Sequence, residues 1–212
     1  MTVKDHWEQV YASRATDQCS WHQVQPRRSL NLIEGTGVRR GAAILDVGGG
    51  DSLLADHLVA AGYRDVTVVD ISRAALQRSQ ERLPADGLVH RVQADARSLP
   101  LADASVDVWH DRAVFHFLTD SEDRDAYLHQ VRRVVRPGGH VIVATFAADG
   151  PTRCSGLPAV RYSSVSLHET FGPRFRLVDT ERETHRTPAG VEQQFVYCSC
   201  VLEPSVESGA AR

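Results

Sequence analysis

Apolar positions along the chain fall into short unbroken runs that alternate with amphipathic stretches. Residues 42–47 read as a buried strand ending in glycines, and 53–61 as a helix closed by Gly62. Residues 66–70 form the next strand-like run. Ser72 is a candidate N-cap for a helix over 73–83. Third and fourth strands fall at 88–93 and 106–109. Tyr127, Leu128, Val131 and the Val134-Val135 pair recur at helical spacing, which predicts a helix over 123–135. Arg136-Pro137-Gly138-Gly139 stops it, and a fifth strand follows at 140–146.

This alternation implies a mostly parallel sheet covered by helices on both sides. The end of the chain departs from it. Two strand-like runs, 175–186 and 191–202, are joined by Thr187-Pro188-Ala189-Gly190 without a crossover helix, so they are expected to pair as a hairpin. The expected fold is α/β and doubly wound: a mostly parallel seven-stranded sheet with a C-terminal antiparallel hairpin and helices on both faces. At the other end, residues 5–11 read as a helix start, and a second helix begins near Pro26 and covers 29–33. The sequence shows no internal repeat and no low-complexity segment. One domain is expected over 1–204, with a helical N-terminal part at 1–37, a long Gly/Pro-punctuated loop at 147–162 and a frayed tail at 205–212.

Composition narrows the partners. The 212 residues are 42% hydrophobic and 24% charged, with a formal net charge of −3. That balance argues against a sequence-independent grip on nucleic acid, which needs a basic surface. No apolar run approaches the roughly 18–20 residues that span a bilayer, and the N-terminus has no apolar signal core, so a cytoplasmic protein with no membrane partner is expected. The cysteines Cys19, Cys154, Cys198 and Cys200 are expected as thiols. Cys198 and Cys200 share one face of a strand, but no second Cys/His pair stands at finger spacing, so no metal is expected. Oligomeric state is not legible.

The chemistry gathers at the ends of the predicted strands. Gly48, Gly49 and Gly50 follow the first strand and open a helix, where glycines permit a sharp turn and close approach of a ligand to the main chain. Asp70 ends the second strand, twenty residues after Gly50, a spacing at which an acid accepts hydrogen bonds from ribose hydroxyls; Ile71 stands beside it. Ser72 is available as the helix cap, which leaves Asp70 free for that role. Asp95 ends the third strand, placed to accept from an adenine amino group while the Ala96 N–H serves a ring nitrogen. A nicotinamide dinucleotide is the rival ligand, but the third glycine of its G-x-G-x-x-G fingerprint is replaced by Leu53. Asp46 and Asp51 would also sit badly beside a pyrophosphate. An acidic loop suits a ligand with a cationic end, such as the ammonium and sulfonium of S-adenosylmethionine.

Taken together, Asp46-Val47-Gly48-Gly49-Gly50, Asp70, Asp95 and the Arg136–Gly139 turn resemble the motifs of class I S-adenosylmethionine-dependent methyltransferases, over roughly residues 40–146. Ser52 departs from the pattern, since many members carry a glycine there. The resemblance implies S-adenosyl-L-methionine as cofactor, S-adenosyl-L-homocysteine as product, and Asp46, Gly48, Gly49, Gly50, Asp70, Ile71, Asp95 and Ala96 as donor-binding residues. The segment 108–117 is similar to the D-R-A and D-K-G patterns of two methyltransferase groups. One contains thiopurine methyltransferase and the plant thiol and halide methyltransferases, the other the elongation-factor lysine methyltransferases. That likeness implies His110, Asp111 and Arg112 beside the methionine end of the donor. It also implies an N-terminal cap carrying Trp21 that excludes water from the reacting methyl.

Methyl transfer is an in-line displacement governed by alignment. His116 and His22 are candidate bases because imidazole titrates near neutral pH, and Asp111 joins them as a catalytic candidate. An acceptor arriving as an anion would need no base. Phe115, Phe146, Arg153 and Cys154, with Arg112, are acceptor-side candidates; Arg153 and Cys154 lie in the loop at 147–162, read as a lid. The short chain favours a small-molecule acceptor, such as a thiol or other soft nucleophile. A protein lysine methyltransferase with an open acidic groove and a non-catalytic S-adenosylmethionine-binding protein are the alternatives.

Overall fold

The computed structural model of the chain describes residues 2–83 and 87–204. The tail expected to fray, 205–212, lies outside the described residues. The elements in chain order are α1 (Val3–Ser13), α2 (Arg27–Gly35), β1 (Ala43–Val47), α3 (Leu54–Ala60), β2 (Asp65–Asp70), α4 (Arg73–Arg82), β3 (Val89–Gln93) and β4 (Val106–Arg112). Then come α5 (Ser121–Val134), β5 (Val135–Phe146), the two-residue strands β6 (Arg153–Cys154) and β7 (Leu157–Pro158), α6 (Ser164–Phe171), β8 (Phe175–Arg186) and β9 (Glu192–Leu202). Short 3₁₀ turns at Thr16–Gln18 and Phe115–Phe117 complete the chain.

Seven strands form one sheet in the order β3-β2-β1-β4-β5-β9-β8. The first five are parallel, and β9 runs antiparallel between β5 and β8. The order reverses between β1 and β4, and the crevice at such a switch point is where open α/β sheets hold ligands.

Strand alternation sends side chains to two apolar layers. On one face Leu45, Val47, Trp109, Val141 and Val143 pack with Tyr127, Leu128 and Val131 of α5 and Leu167 and Phe171 of α6. On the other face Ile44, Val66, Val68, Val108 and Ile142 pack with Ile33 of α2, Leu54 and Leu58 of α3, and Leu76 of α4. Cys198 and Cys200 lie within the first layer, their sulfurs 3.4 Å apart. No helix among the described residues is long and apolar enough to cross a membrane.

Three expectations need correction. First, β4 runs on to Arg112 rather than ending at Trp109. Its polar end is buried because each side chain finds a partner, as described below. Second, Arg136–Gly139 does not separate α5 from the strand but bulges within β5, so that Val106 pairs with Val135 and Val108 already with His140. Gly138 there has φ +80°, and Arg136 is tied to Asp107, whose other oxygen accepts the Ala43 N–H at 2.8 Å. Third, the stretch 147–162 contains the hairpin β6–β7, turned by Ser155 (φ +47°) and Gly156 (φ +82°).

Candidate active site at the switch point

A cavity of about 340 Å³ opens beyond the carboxyl ends of β1, β2, β3 and β4. That is within the range of small-molecule sites, roughly 300–1,000 Å³. A second, much smaller space of about 40 Å³ adjoins it and shares Trp21, Gly48 and Arg112 with the first.

The glycine loop forms its floor. Gly48 and Gly50 take left-handed conformations, φ +64° and +47°. A Cβ on Gly48 would stand 2.0 Å from Val114 Cγ2, and one on Gly49 would stand 2.3 Å from Asp46 Oδ2. A Cβ on Gly50 would meet the Tyr11 hydroxyl at 2.7 Å and Asp70 Oδ2 at 2.9 Å. Gly48 reaches both spaces and Gly49 only the smaller. Gly50 lies under Tyr11, on neither lining.

Asp70 and Ile71 line the large cavity with Ala94, Asp95 and Ala96. Asp70 Oδ1 accepts from the Ser72 N–H at 2.8 Å. Burial pushes its carboxyl up to about 7 against that hydrogen bond, and the nearby carboxylates of Asp51, Asp46 and Glu8 push the same way. Asp95 is held differently: Arg97 contacts both its oxygens, at 2.9 and 2.5 Å, and keeps it below the usual carboxylate range. Arg97 also reaches Asp123, so the adenine role assigned to Asp95 must be shared with an ion pair.

Strand alternation in β4 divides the polar run. His110 and Arg112 point to the α2 side. His110 Nδ1 lies 2.8 Å from Asp46 Oδ1 and its Nε2 lies 2.9 Å from Ser29 Oγ, so both ring nitrogens are occupied beside the smaller space. Arg112 donates to the Tyr197 hydroxyl at 3.0 Å, to Glu183 at 3.3 Å and to the Trp21 carbonyl at 3.4 Å, with its guanidinium over the Phe195 ring. Asp111 points the other way, into the α5 layer. It accepts from the Val114 and Phe115 N–H groups at 2.9 and 3.1 Å and from the Tyr127 hydroxyl at 2.6 Å. Burial pushes its carboxyl up to about 6 in spite of these bonds.

Asp111 therefore holds the turn after β4 and does not reach the cavity. Asp111→Ala leaves three buried donors without their acceptor, which costs about 3 kcal/mol or more. The melting temperature is expected to fall by roughly 6–12 °C in a chain of this size. An unchanged melting curve would remove this structural role.

The other acceptor-side candidates separate in the same way. His116 is fully buried between Phe117 and Phe146, with ring centroids 4.4 and 4.5 Å away. Its Nδ1 accepts the Phe146 N–H at 3.3 Å, its Nε2 has no partner among the described residues, and burial pushes the imidazole down to about 3. It is off the lining and uncharged. Phe115 packs on Tyr127, Tyr162 and Phe171, and Phe146 on Phe195, so both belong to the core. Arg153 is exposed and donates to the Gly156 carbonyl. His22 touches only the smaller space. Cys154 does line the large cavity, its thiol pushed up by burial.

Several lining residues were not foreseen. Trp7 and Tyr11 of α1 stand with Trp21 and Phe117 as a wall of rings. Trp7 is 5.7 Å from Trp21 and 5.2 Å from Phe117, and Tyr11 is 5.7 Å from Trp21. Leu118, Leu157 and Pro158 continue that wall. The i, i+4 spacing of Trp7 and Tyr11 on a helix was the available signal.

Polar contacts fasten the wall in place. Glu8 accepts from the Arg73 and Ala74 N–H groups and the Ser72 hydroxyl at the start of α4, at 2.7, 3.1 and 2.9 Å. Thr16 donates to Asp51 at 2.6 Å. From the edge strand β8, His185 contacts the Ser20 carbonyl at 2.7 Å and Glu183 accepts from Gln23 at 3.0 Å, bracketing Trp21.

Comparison with known proteins bears on this geometry. Residues 45–143 match a family model described as a methyltransferase domain. A malonyl-[acyl-carrier protein] O-methyltransferase of Pseudescherichia vulneris is 36% identical over 137 residues, 64% of this chain and 51% of that protein. The methyltransferase GfsG of Streptomyces halstedii is 34% identical over 58% of this chain and 45% of its own length. A ubiquinone/menaquinone biosynthesis C-methyltransferase UbiE of Idiomarina loihiensis is 35% identical over 54% and 47%. The chain spans about half the length of these curated relatives.

Among solved structures, one from work on conversion of a disulfide bond into a thioacetal group during echinomycin biosynthesis superposes with a TM-score of 0.78 at 19% identity, covering 95% of this chain and 94% of that one. Burkholderia thailandensis 1,6-didemethyltoxoflavin-N1-methyltransferase, with S-adenosylhomocysteine bound, gives 0.70 at 20% identity, covering 95% and 84%. At these identities the likeness is one of fold. The glycine loop, Asp70 and Asp95 all fall within residues 45–143, the segment that matches the methyltransferase-domain model.

Proposed function

We propose that the chain transfers a methyl group from S-adenosylmethionine to a small-molecule acceptor. The observation that carries this reading is the aromatic and apolar walling of the cavity on two sides. Trp7, Tyr11 and Trp21 wall it from the N-terminal side, and Cys154, Leu157 and Pro158 of the β6–β7 hairpin wall it from the other. A protein lysine methyltransferase would need an open trough there.

The residues present fit the donor. Gly48 lines the cavity without a side chain of its own, and the buried Asp70 carboxylate faces the same cavity as Ile71 and Ala96. Asp70 would accept from the ribose hydroxyls, and Ile71 and Ala96 would flank the adenine. The smaller space, with Asp46, His110 and the shared Arg112, would take the amino-acid end. When bound, the donor supplies a methyl group activated on a cationic sulfur. The chain's own task is alignment and exclusion of water: Trp21 spans both spaces, residues 1–37 cap the donor, and the 147–162 stretch acts as the lid. Neither His116 nor Asp111 touches the cavity, which supports a reaction governed by positioning. A thiol acceptor, suggested by the likeness of residues 108–117 to the thiopurine methyltransferase group, would have to arrive already ionised.

Calorimetric titration with S-adenosylhomocysteine and S-adenosylmethionine tests the reading. Micromolar binding is expected, about −8 kcal/mol. Absence of binding by both, with a nicotinamide dinucleotide bound in their place, would make the glycine loop a dehydrogenase site.

A further inference from the structure

The large cavity combines three features. First, no histidine or lysine lies on its lining among the described residues. The remaining proton-accepting groups are occupied, hold their protons or face solvent. Asp95 and Asp123 are paired with Arg97, Asp70 stands at the ribose position, burial holds the Tyr11 and Cys154 protons on, and Asp120 is exposed to solvent. Second, the charges on the lining sum to negative. Asp70, Asp95, Asp120 and Asp123 face two guanidiniums, Arg97 and Arg112, and both are already in ion pairs. Third, Trp7, Tyr11, Trp21 and Phe117 present rings at mutual distances of 5.2 to 5.7 Å, and Trp7 lies 6.3 Å from Tyr11.

Each feature removes a class of acceptor. A phenol, a protonated amine or a thiol needs a base that the lining lacks. A thiolate, phenolate or carboxylate needs an unpaired cation, and would meet like charge instead. What remains is a nucleophile that is neutral and carries no proton to lose. Resting on the donor reading above, we propose that the acceptor is a flat, uncharged heteroaromatic molecule that attacks through a pyridine-type nitrogen.

The nitrogen lone pair forms the N–C bond to the methyl group as the C–S bond breaks, and that bonding pair returns to sulfur. No proton moves. The positive charge passes from sulfonium to the N-methylated ring, and the donor leaves as a neutral thioether. A wall of aromatic faces with an acidic surround suits a cavity that holds a cation both before and after the step.

The test reads binding as well as turnover. Trp7 and Trp21 line the cavity while Trp109 is fully buried, so tryptophan fluorescence reports occupancy over a constant background. With S-adenosylhomocysteine saturating, three isosteric probes are compared: quinoline, N-methylquinolinium and 1-naphthoate. N-methylquinolinium is expected to bind at least tenfold more tightly than 1-naphthoate, with quinoline between them. Trp7→Leu should weaken N-methylquinolinium about tenfold. With S-adenosylmethionine, quinoline should yield N-methylquinolinium, and 1-naphthol and 2-naphthalenethiol should stay unmethylated. Preferential binding of 1-naphthoate, methylation of the thiol or naphthol ahead of quinoline, or no binding by any probe overturns the proposal. Calorimetry with S-adenosylhomocysteine alone separates the two readings, because its failure would remove the donor site itself.

Discussion

Asp70→Ala is expected to weaken S-adenosylhomocysteine about a hundredfold while the chain stays folded. Hydrogen bonds to a charged group contribute roughly 1.5–3 kcal/mol each, and loss of the ribose pair is set at about 3 kcal/mol, or two factors of ten. The same carboxylate makes binding depend on pH. Its burial, with Asp51, Asp46 and Glu8 nearby, places its titration near 7. Affinity should therefore rise between pH 6 and 8 in the natural chain and stay flat in Asp70→Asn.

The ligand-free chain should show the opposite trend. A carboxyl with a raised folded-state pKa binds its proton more tightly folded than unfolded. Its contribution to stability is full below the unfolded value near 4 and is lost as pH climbs through 7. Asp111, raised to about 6, acts in the same sense in both proteins, so the difference between their melting curves isolates Asp70. A pH-independent difference would show that Asp70 titrates in the ordinary range.

Gly48→Ala is the second large effect, and it acts on folding. A left-handed alanine costs about 1–2 kcal/mol, and a Cβ 2.0 Å from Val114 Cγ2 adds the overpacking cost of about 1–3 kcal/mol. Val114 has little freedom to move away, since its N–H is held by Asp111. A loss of about 2–5 kcal/mol should lower the melting temperature by roughly 4–20 °C. Calorimetric melting measures it directly, and a shift under 2 °C would contradict the loop conformation described.

The sheet was legible because buried parallel strands are apolar almost throughout, and the glycines and acids punctuate their ends. Ile44, Leu45 and Val47, or Val66, Val68 and Val69, leave little choice of structure. β4 was read too short because its last residues are polar, and polarity normally marks a strand's end. They are buried only because Ser29, Tyr127, Tyr197 and Glu183, distant in sequence, come to meet them. The two-residue period of a strand does separate Asp111 from His110 and Arg112, and it was the resemblance that grouped them. His116 stands one residue before a lining phenylalanine, and only the 3₁₀ turn over Phe115–Phe117 decides which ring faces the cavity. The donor half was thus readable from strand ends. The acceptor half was not, because it is assembled from α1, the Trp21 loop, the Phe115–Phe117 turn and the β6–β7 hairpin.

The layout of that acceptor wall bears on how such a chain changes its chemistry. Trp7, Tyr11, Trp21, Cys154, Leu157 and Pro158 all fall outside the matched segment 45–143, which holds the glycine loop and the acid-tipped strands. They belong to two segments, one before residues 45–143 and one after them. The first is fastened by Glu8 on α4 and His185 on Ser20, the second by the Val160 N–H on the His116 carbonyl, and neither supplies a strand to the seven-stranded sheet. On the proposed function, a library confined to those positions would redesign specificity while residues 45–143 keep their sequence.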